Sequence, residues 1–134
     1  MTNALYGKGK EKILSGSIDL TTDTIKAALV ETAYTVNLAT HEFYTDITAN
    51  VLGTPQTLGG KSITLGVFDA TDINYTAVAG GDTALGVVLY KDTGVAGTSP
   101  LIGYIDVITG FPFATNGGDV AVVWDNGTYK IFAI

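Results

Sequence analysis

The sequence predicts an all-β protein: a single antiparallel β-sandwich or barrel-like domain over residues 17–134, with a C-terminal hairpin and, over residues 1–16, a short N-terminal helix or arm. Three observations predict this class. Strand-length runs of alternating apolar and polar residues recur, separated by turn chemistry roughly every 8–12 residues. Twenty of the 134 residues are threonine, a β-branched residue suited to a pleated, half-exposed surface. Asn126-Gly127 lies between two alternating runs. That dipeptide is a strong hairpin signal, because a two-residue type I′ turn needs positive φ at both central positions and Asn and Gly tolerate it.

Residues 1–16 mix Leu5, Tyr6, Ile13 and Leu14 with Gly7, Gly9 and four charges. They suit an amphipathic helix, although each interior glycine costs about 1 kcal/mol relative to alanine. An arm that orders on a neighbour is the competing reading. In the stretch Asp23–Glu31, Ile25, Ala27 and Leu29 fall on one strand face, with Lys26, Ala28 and Val30 on the other. Thr40–Ile47 reads as one or two helical turns, with Thr40 as cap, Glu42 near the N-terminal end, and Phe43 above Ile47 at i,i+4.

Further strands are expected over Val51–Leu58, Lys61–Ala70, Ile73–Val78, Thr83–Lys91, Leu101–Ile108, Val120–Asp125 and Thr128–Ile134. Gly59-Gly60, Gly80-Gly81-Asp82, Asp92–Gly94 and Asn116–Gly118 punctuate them. In the last hairpin the turn sets Asp125 opposite Thr128, Trp124 opposite Tyr129, Val122 opposite Ile131 and Val120 opposite Ala133. Val120, Val122, Trp124, Tyr129 and Ile131 then share the core side.

Composition narrows the function classes. The chain is 46% apolar and 15% charged, which excludes a disordered chain. Its longest apolar runs, such as Leu85–Tyr90, fall far short of the roughly 20 residues that span a bilayer. No charged-then-apolar export pattern opens the sequence, so a soluble protein with no membrane partner is expected. Net charge is −6 and there is no arginine. With Glu11 set against Lys8, Lys10 and Lys12, residues 1–12 carry +2, which leaves −8 on the remainder. An acidic body without a guanidinium is poorly equipped to clamp phosphates or read bases, so no nucleic-acid partner is expected. The lysine cluster is either a solvated charge cluster or a contact for an acidic surface. With no cysteine, disulfides, thiolate nucleophiles and zinc–thiolate sites are ruled out.

The fragments that resemble catalytic motifs do not assemble into one. His41 is the only histidine, too few for a common triad or a histidine-rich metal site. Asp69, Asp72, Asp119 and Asp125 fall at strand breaks, where aspartate favours turns, and Asp69–Asp72 lacks the EF-hand loop pattern. Gly7–Lys10 fails the spacing of a phosphate-binding loop, and no Gly-x-Ser-x-Gly elbow exists. The expectation is a protein that is not an enzyme and uses no cofactor and no metal. Contact residues are sought instead in Leu5, Tyr6, Lys8, Lys10 and Lys12 of the N-terminal segment, and in Phe111 and Phe113 around Pro112. The two phenylalanines are either anchors in the domain's own core or apolar contacts for a neighbouring subunit.

Several blocks together carry a resemblance: Asp23–Val30, Val88–Gly94, Thr98–Ile102, Thr109–Phe113, Thr115–Val120 and Trp124–Gly127. Through them the chain resembles a family of small virion-associated proteins of tailed bacteriophages and prophages, often encoded among head and tail structural genes. The similarity runs from Ala4 to Ile134 and consists of strand and turn blocks, with no catalytic residues to transfer. Many relatives have a more charged N-terminal segment than Leu5–Lys10. The resemblance implies a structural virion protein, made in the bacterial host cytoplasm, that decorates or cements the capsid. Its expected partners are the major capsid protein or other virion proteins, with copies in a homo-oligomer or symmetric array. The alternatives are a tail or neck component, or a virion-displayed carbohydrate- or receptor-binding module using Tyr75, Tyr104, Trp124 and Tyr129.

Overall fold

The computed structural model describes residues 3–134. Among them are eleven strands and one α-helix. In chain order these are β1 (Ala4–Leu5), α1 (Gly7–Leu14), β2 (Ile25–Glu31), β3 (Val51–Thr57), β4 (Ser62–Thr64), β5 (Val67–Asp69), β6 (Ile73–Tyr75), β7 (Thr83–Lys91), β8 (Leu101–Ile105), β9 (Phe113–Ala114), β10 (Val120–Val122) and β11 (Phe132–Ala133). Every pairing is antiparallel. The all-β class is therefore correct. The main sheet runs β1-β8-β7-β2-β3, with β9 also on β7; β10-β6 and β11-β5-β4 form two small sheets. The main sheet does not close into a barrel.

The middle of the main sheet is buried on both faces, as its near-continuous apolar strands require. Ile25, Ala27 and Leu29 of β2 join Val87 and Leu89 in one cluster, completed by Phe68, Tyr75, Trp124 and Phe132 from the small sheets and their flanks. Ala28 and Val30 join Val88, Tyr90, Leu101 and Tyr104 in a second cluster, covered by Tyr6, Tyr34 and Ile47. The expected division of β2 into two faces holds.

The N-terminal segment is a helix, and its glycines are structural. A Cβ on Gly9 would lie 2.5 Å from the Leu101 carbonyl oxygen and 2.9 Å from that of Ile102. The helix backbone therefore rests directly on β8, which only glycine permits. Residues 40–47 form one of the one or two expected helical turns, Tyr44–Asp46, late in the segment and with 3-10 rather than α geometry. Thr40 does not cap it. The Asp46 carboxylate instead accepts the N–H groups of Glu42 (2.7 Å) and Phe43 (3.1 Å). Phe43 pairs with Pro100 as an isolated bridge. Phe43 is the extended N-cap of that turn, so helical backbone starts only at Tyr44.

The C-terminal hairpin is not formed. β10 pairs with β6, Val120 opposite Tyr75 and Val122 opposite Ile73. β11 pairs with β5, Phe132 opposite Phe68. Neither Asn126 nor Gly127 takes a positive φ. The two halves of the expected hairpin go to different sheets because each finds a better partner there. The indole N–H of Trp124 donates to the Thr71 carbonyl (3.1 Å), its backbone N–H to Asp72 Oδ1 (2.9 Å), and Phe132 packs on Phe68 with ring centroids 5.2 Å apart. Val120, Val122, Trp124 and Ile131 are buried as expected, but Tyr129 is 67% exposed.

A two-residue turn with positive φ at both centres does occur, at Leu65 (φ 52°) and Gly66 (φ 77°). It divides the expected strand Lys61–Ala70 into β4 and β5, with Thr64 opposite Val67.

Candidate contact surface

The N-terminal residues expected to make contacts divide sharply. Tyr6 is fully buried, so its side chain is removed from the contact set. Its hydroxyl lies 2.6 Å from that of Tyr34, which in turn lies 2.8 Å from His41 Nδ1. The His41 ring stacks on Tyr34 at 5.5 Å between centroids. His41 thus belongs to a hydroxyl chain that anchors residues 34–41 to the end of β1. Burial pushes the Tyr6 hydroxyl far above its ordinary value, and its hydrogen bond to Tyr34 adds to the shift.

Lys8 pairs with Glu11 on the exposed face of α1 at 3.3 Å. Lys12 pairs with Glu42 at 2.7 Å and sits over the Phe43 ring at 5.2 Å from its centroid. Both are committed within the chain. Lys10 is exposed and has no ion-pair partner among the described residues. Phe111 and Phe113 are partly buried and pack against the first cluster, with Phe113 paired to Ala84 in the sheet. Leu5 packs on that cluster too, while also facing a groove.

That groove has a volume of about 570 Å³. One wall is the edge of the main sheet, Asn3, Ala4 and Leu5, and the other is the edge of a small sheet, Ile131, Phe132 and Ala133. Leu38 and Val107 also line it, and Lys10, Asp125, Tyr129 and Lys130 complete its boundary. Asn3 ties the two walls together. Its Nδ2 donates to the Ile131 carbonyl at 2.9 Å, while its Oδ1 accepts the N–H groups of Asp106 and Val107, both at 2.9 Å.

Two smaller depressions adjoin this groove. One shares Leu5, Lys10 and Ala133 with it and adds Leu14 and Ile134. The other shares Tyr129 and Lys130 and reaches the Leu65 turn. Along this strip Leu14 is 82% exposed, Leu65 97% and Ile134 66%. Large apolar side chains held this far into water along one strip make it a candidate contact surface, which a single exposed leucine would not.

Of the four aromatics considered for a sugar platform, Tyr75, Tyr104 and Trp124 are buried and only Tyr129 is exposed, so the platform does not assemble on the surface. Leu65 is absent from the expected contacts because the sequence places it inside a long strand, Lys61–Ala70. A signal was available in Gly66, which interrupts an otherwise alternating run. Asn3 and Val107 gave no local signal, because what recruits them is a pairing across the whole chain. No protein-family model matches this chain, and no curated protein matches it either.

Proposed function

We propose that this protein is a structural, non-enzymatic component of a tailed-bacteriophage virion, a single sandwich-like domain that decorates or cements the capsid in symmetric copies. The strand and turn blocks of the sequence suggest the family. The observation that carries the binding role is the apolar strip along the β1–β11 groove, with Leu14, Leu65 and Ile134 held in water. A cysteine-free domain of this kind gains stability when it associates with a lattice, because a partner that binds only the folded state shifts the folding equilibrium. The groove, rather than the N-terminal segment as a whole, is the surface offered to the shell.

Cryo-EM of the intact particle tests this reading. Regular copies on the capsid lattice, with the Leu65 turn and the groove facing the shell, are the expected result. Density confined to the tail or neck would keep the structural class and move the location. Absence of the chain from purified particles by mass spectrometry would overturn the reading. Lys10→Glu tests the groove with the fold's own contacts intact, whereas deleting residues 1–16 would remove β1 and the buried Tyr6.

A further inference from the structure

The main sheet has two end strands, and they differ in kind. β3 carries Pro55, a positive φ at Gly53 (64°) and an irregular register against β2 between Ala27 and Leu29. These are the devices that keep an edge from pairing further. β1 lacks all three, and short length, at two residues, is its one such device. The Tyr6 N–H donates to the Ile102 carbonyl (3.0 Å), and Leu5 sits opposite Gly103 in the same register. Since hydrogen-bonded and non-bonded pairs alternate along an antiparallel ladder, the Leu5 N–H and C=O point away from β8.

The opposite wall repeats this arrangement. The Ile134 N–H donates to the Gly66 carbonyl (2.9 Å), and Ala133 lies opposite Val67, so the Ala133 N–H and C=O point away from β5. Both residues line the groove.

We propose that the groove captures an extended, apolar segment of another protein that carries at least one carboxylate, seated as an added strand against β1 and β11. The inference rests on the reading of the groove as the docking surface and names its occupant. Beyond the Asn3–Ile131 bridge, the outward Leu5 and Ala133 backbone groups supply hydrogen bonds to an extended chain, and the apolar lining of the groove accepts its side chains, the mode of strand addition. Charge selects the occupant. In a chain of net charge −6, the groove is bounded by Lys10 and Lys130 against one acid, Asp125. An acidic segment meets attraction there, whereas a basic one meets two ammonium groups.

The test is selection of random peptides of about ten residues by mRNA display on the purified full chain. Enriched sequences should alternate apolar residues and carry Asp or Glu. They should bind about tenfold or more weakly to Lys10→Glu, and keep their affinity for Lys8→Glu on the exposed face of the same helix. N-methylation of alternate backbone nitrogens of an enriched peptide should abolish binding. Failure to enrich any sequence, or enriched sequences indifferent to Lys10→Glu or to N-methylation, would overturn the proposal. Concentration-dependent self-association in sedimentation velocity, lost in Lys10→Glu, would overturn it differently, by making the occupant a second copy of this chain. Failed selection with copies still on the capsid would sink the occupant alone. Successful selection with the chain absent from particles would sink the virion reading alone.

Discussion

The two faces of the main sheet are buried to similar depth by different chemistry. On one, aliphatic side chains of β2, β7 and β8 meet Phe68, Trp124 and Phe132. On the other, Tyr6, Tyr34, Tyr90 and Tyr104 bring four hydroxyls into a layer otherwise made of Ala28, Val30, Val88, Ile47 and Leu101. The first face is held mainly by packing, with Tyr75 its one buried tyrosine. The second has polar groups that must stay paired and neutral, so pH and single-atom deletions reach it. Where a sheet is covered by another sheet, apolar surface suffices. Where it is covered by irregular chain such as residues 34–47, hydroxyl contacts help fix the covering.

The largest expected effect lies on the packed face. Trp124→Ala should cost about 3–5 kcal/mol in urea unfolding, since it leaves a cavity and orphans the Thr71 carbonyl. An effect below about 1 kcal/mol would mean that this face is not the stronger of the two. Next is Gly9→Ala, at the junction of α1 and β8. Helix propensity alone favours alanine by about 1 kcal/mol. The clash with the Leu101 and Ile102 carbonyls should instead make the variant about 1–3 kcal/mol less stable. A gain in thermal midpoint would show that α1 stands off the sheet.

Tyr6→Phe should cost about 1–2 kcal/mol, because the Tyr34 hydroxyl loses a partner in a buried site. The same face sets the alkaline limit. Burial raises the hydroxyls of Tyr6, Tyr90 and Tyr104, the last to about 12. Tyr75, on the packed face, is raised in the same way and its hydroxyl donates to the Ala27 carbonyl at 2.6 Å. A raised pKa contributes stability that is complete below the unfolded value near 10 and is lost as pH rises beyond it. Thermal midpoints should therefore fall steadily above about pH 10, and less steeply in Tyr6→Phe.

The smallest effect is on the acid side. The backbone N–H of Glu42, then that of Phe43, holds Asp46 below the usual carboxylate range. A depressed pKa contributes stability present above the unfolded value near 4 and lost as pH falls through the folded one. Asp46→Asn should flatten the acid limb of a midpoint-versus-pH curve while leaving the alkaline limb unchanged.

Sequence patterning was most legible where one element settles its own environment. Thr83–Lys91 matches β7 residue for residue, because an apolar run of that length has only one comfortable place, in the middle of a sheet. Asn126-Gly127 misled because turn preference is local and weak beside tertiary pairing. Val120–Val122 and Phe132–Ala133 gain more from β6 and β5 than from each other. Leu65 was hidden for the converse reason: leucine is a poor left-handed residue, yet Gly66 and the Ser62–Asp69 ladder hold it there. Of the expected contacts, Leu5 and Lys10 fall on the groove, whereas Tyr6 turns inward and Lys8 and Lys12 find acids on their own chain.

The pairing of Ala4 with Tyr104, and of Asn3 with Ile131, also sets a schedule for synthesis. β1 emerges from the ribosome among the first elements and has no partner strand until β8 has been made. Helix α1 likewise waits for the β8 carbonyls on which Gly9 rests. Contacts this distant in sequence slow folding and delay it until the later of the two paired segments has been made. During that interval Leu5, Tyr6, Ile13 and Leu14 are exposed on a nascent chain, where a chaperone or a sister chain can reach them.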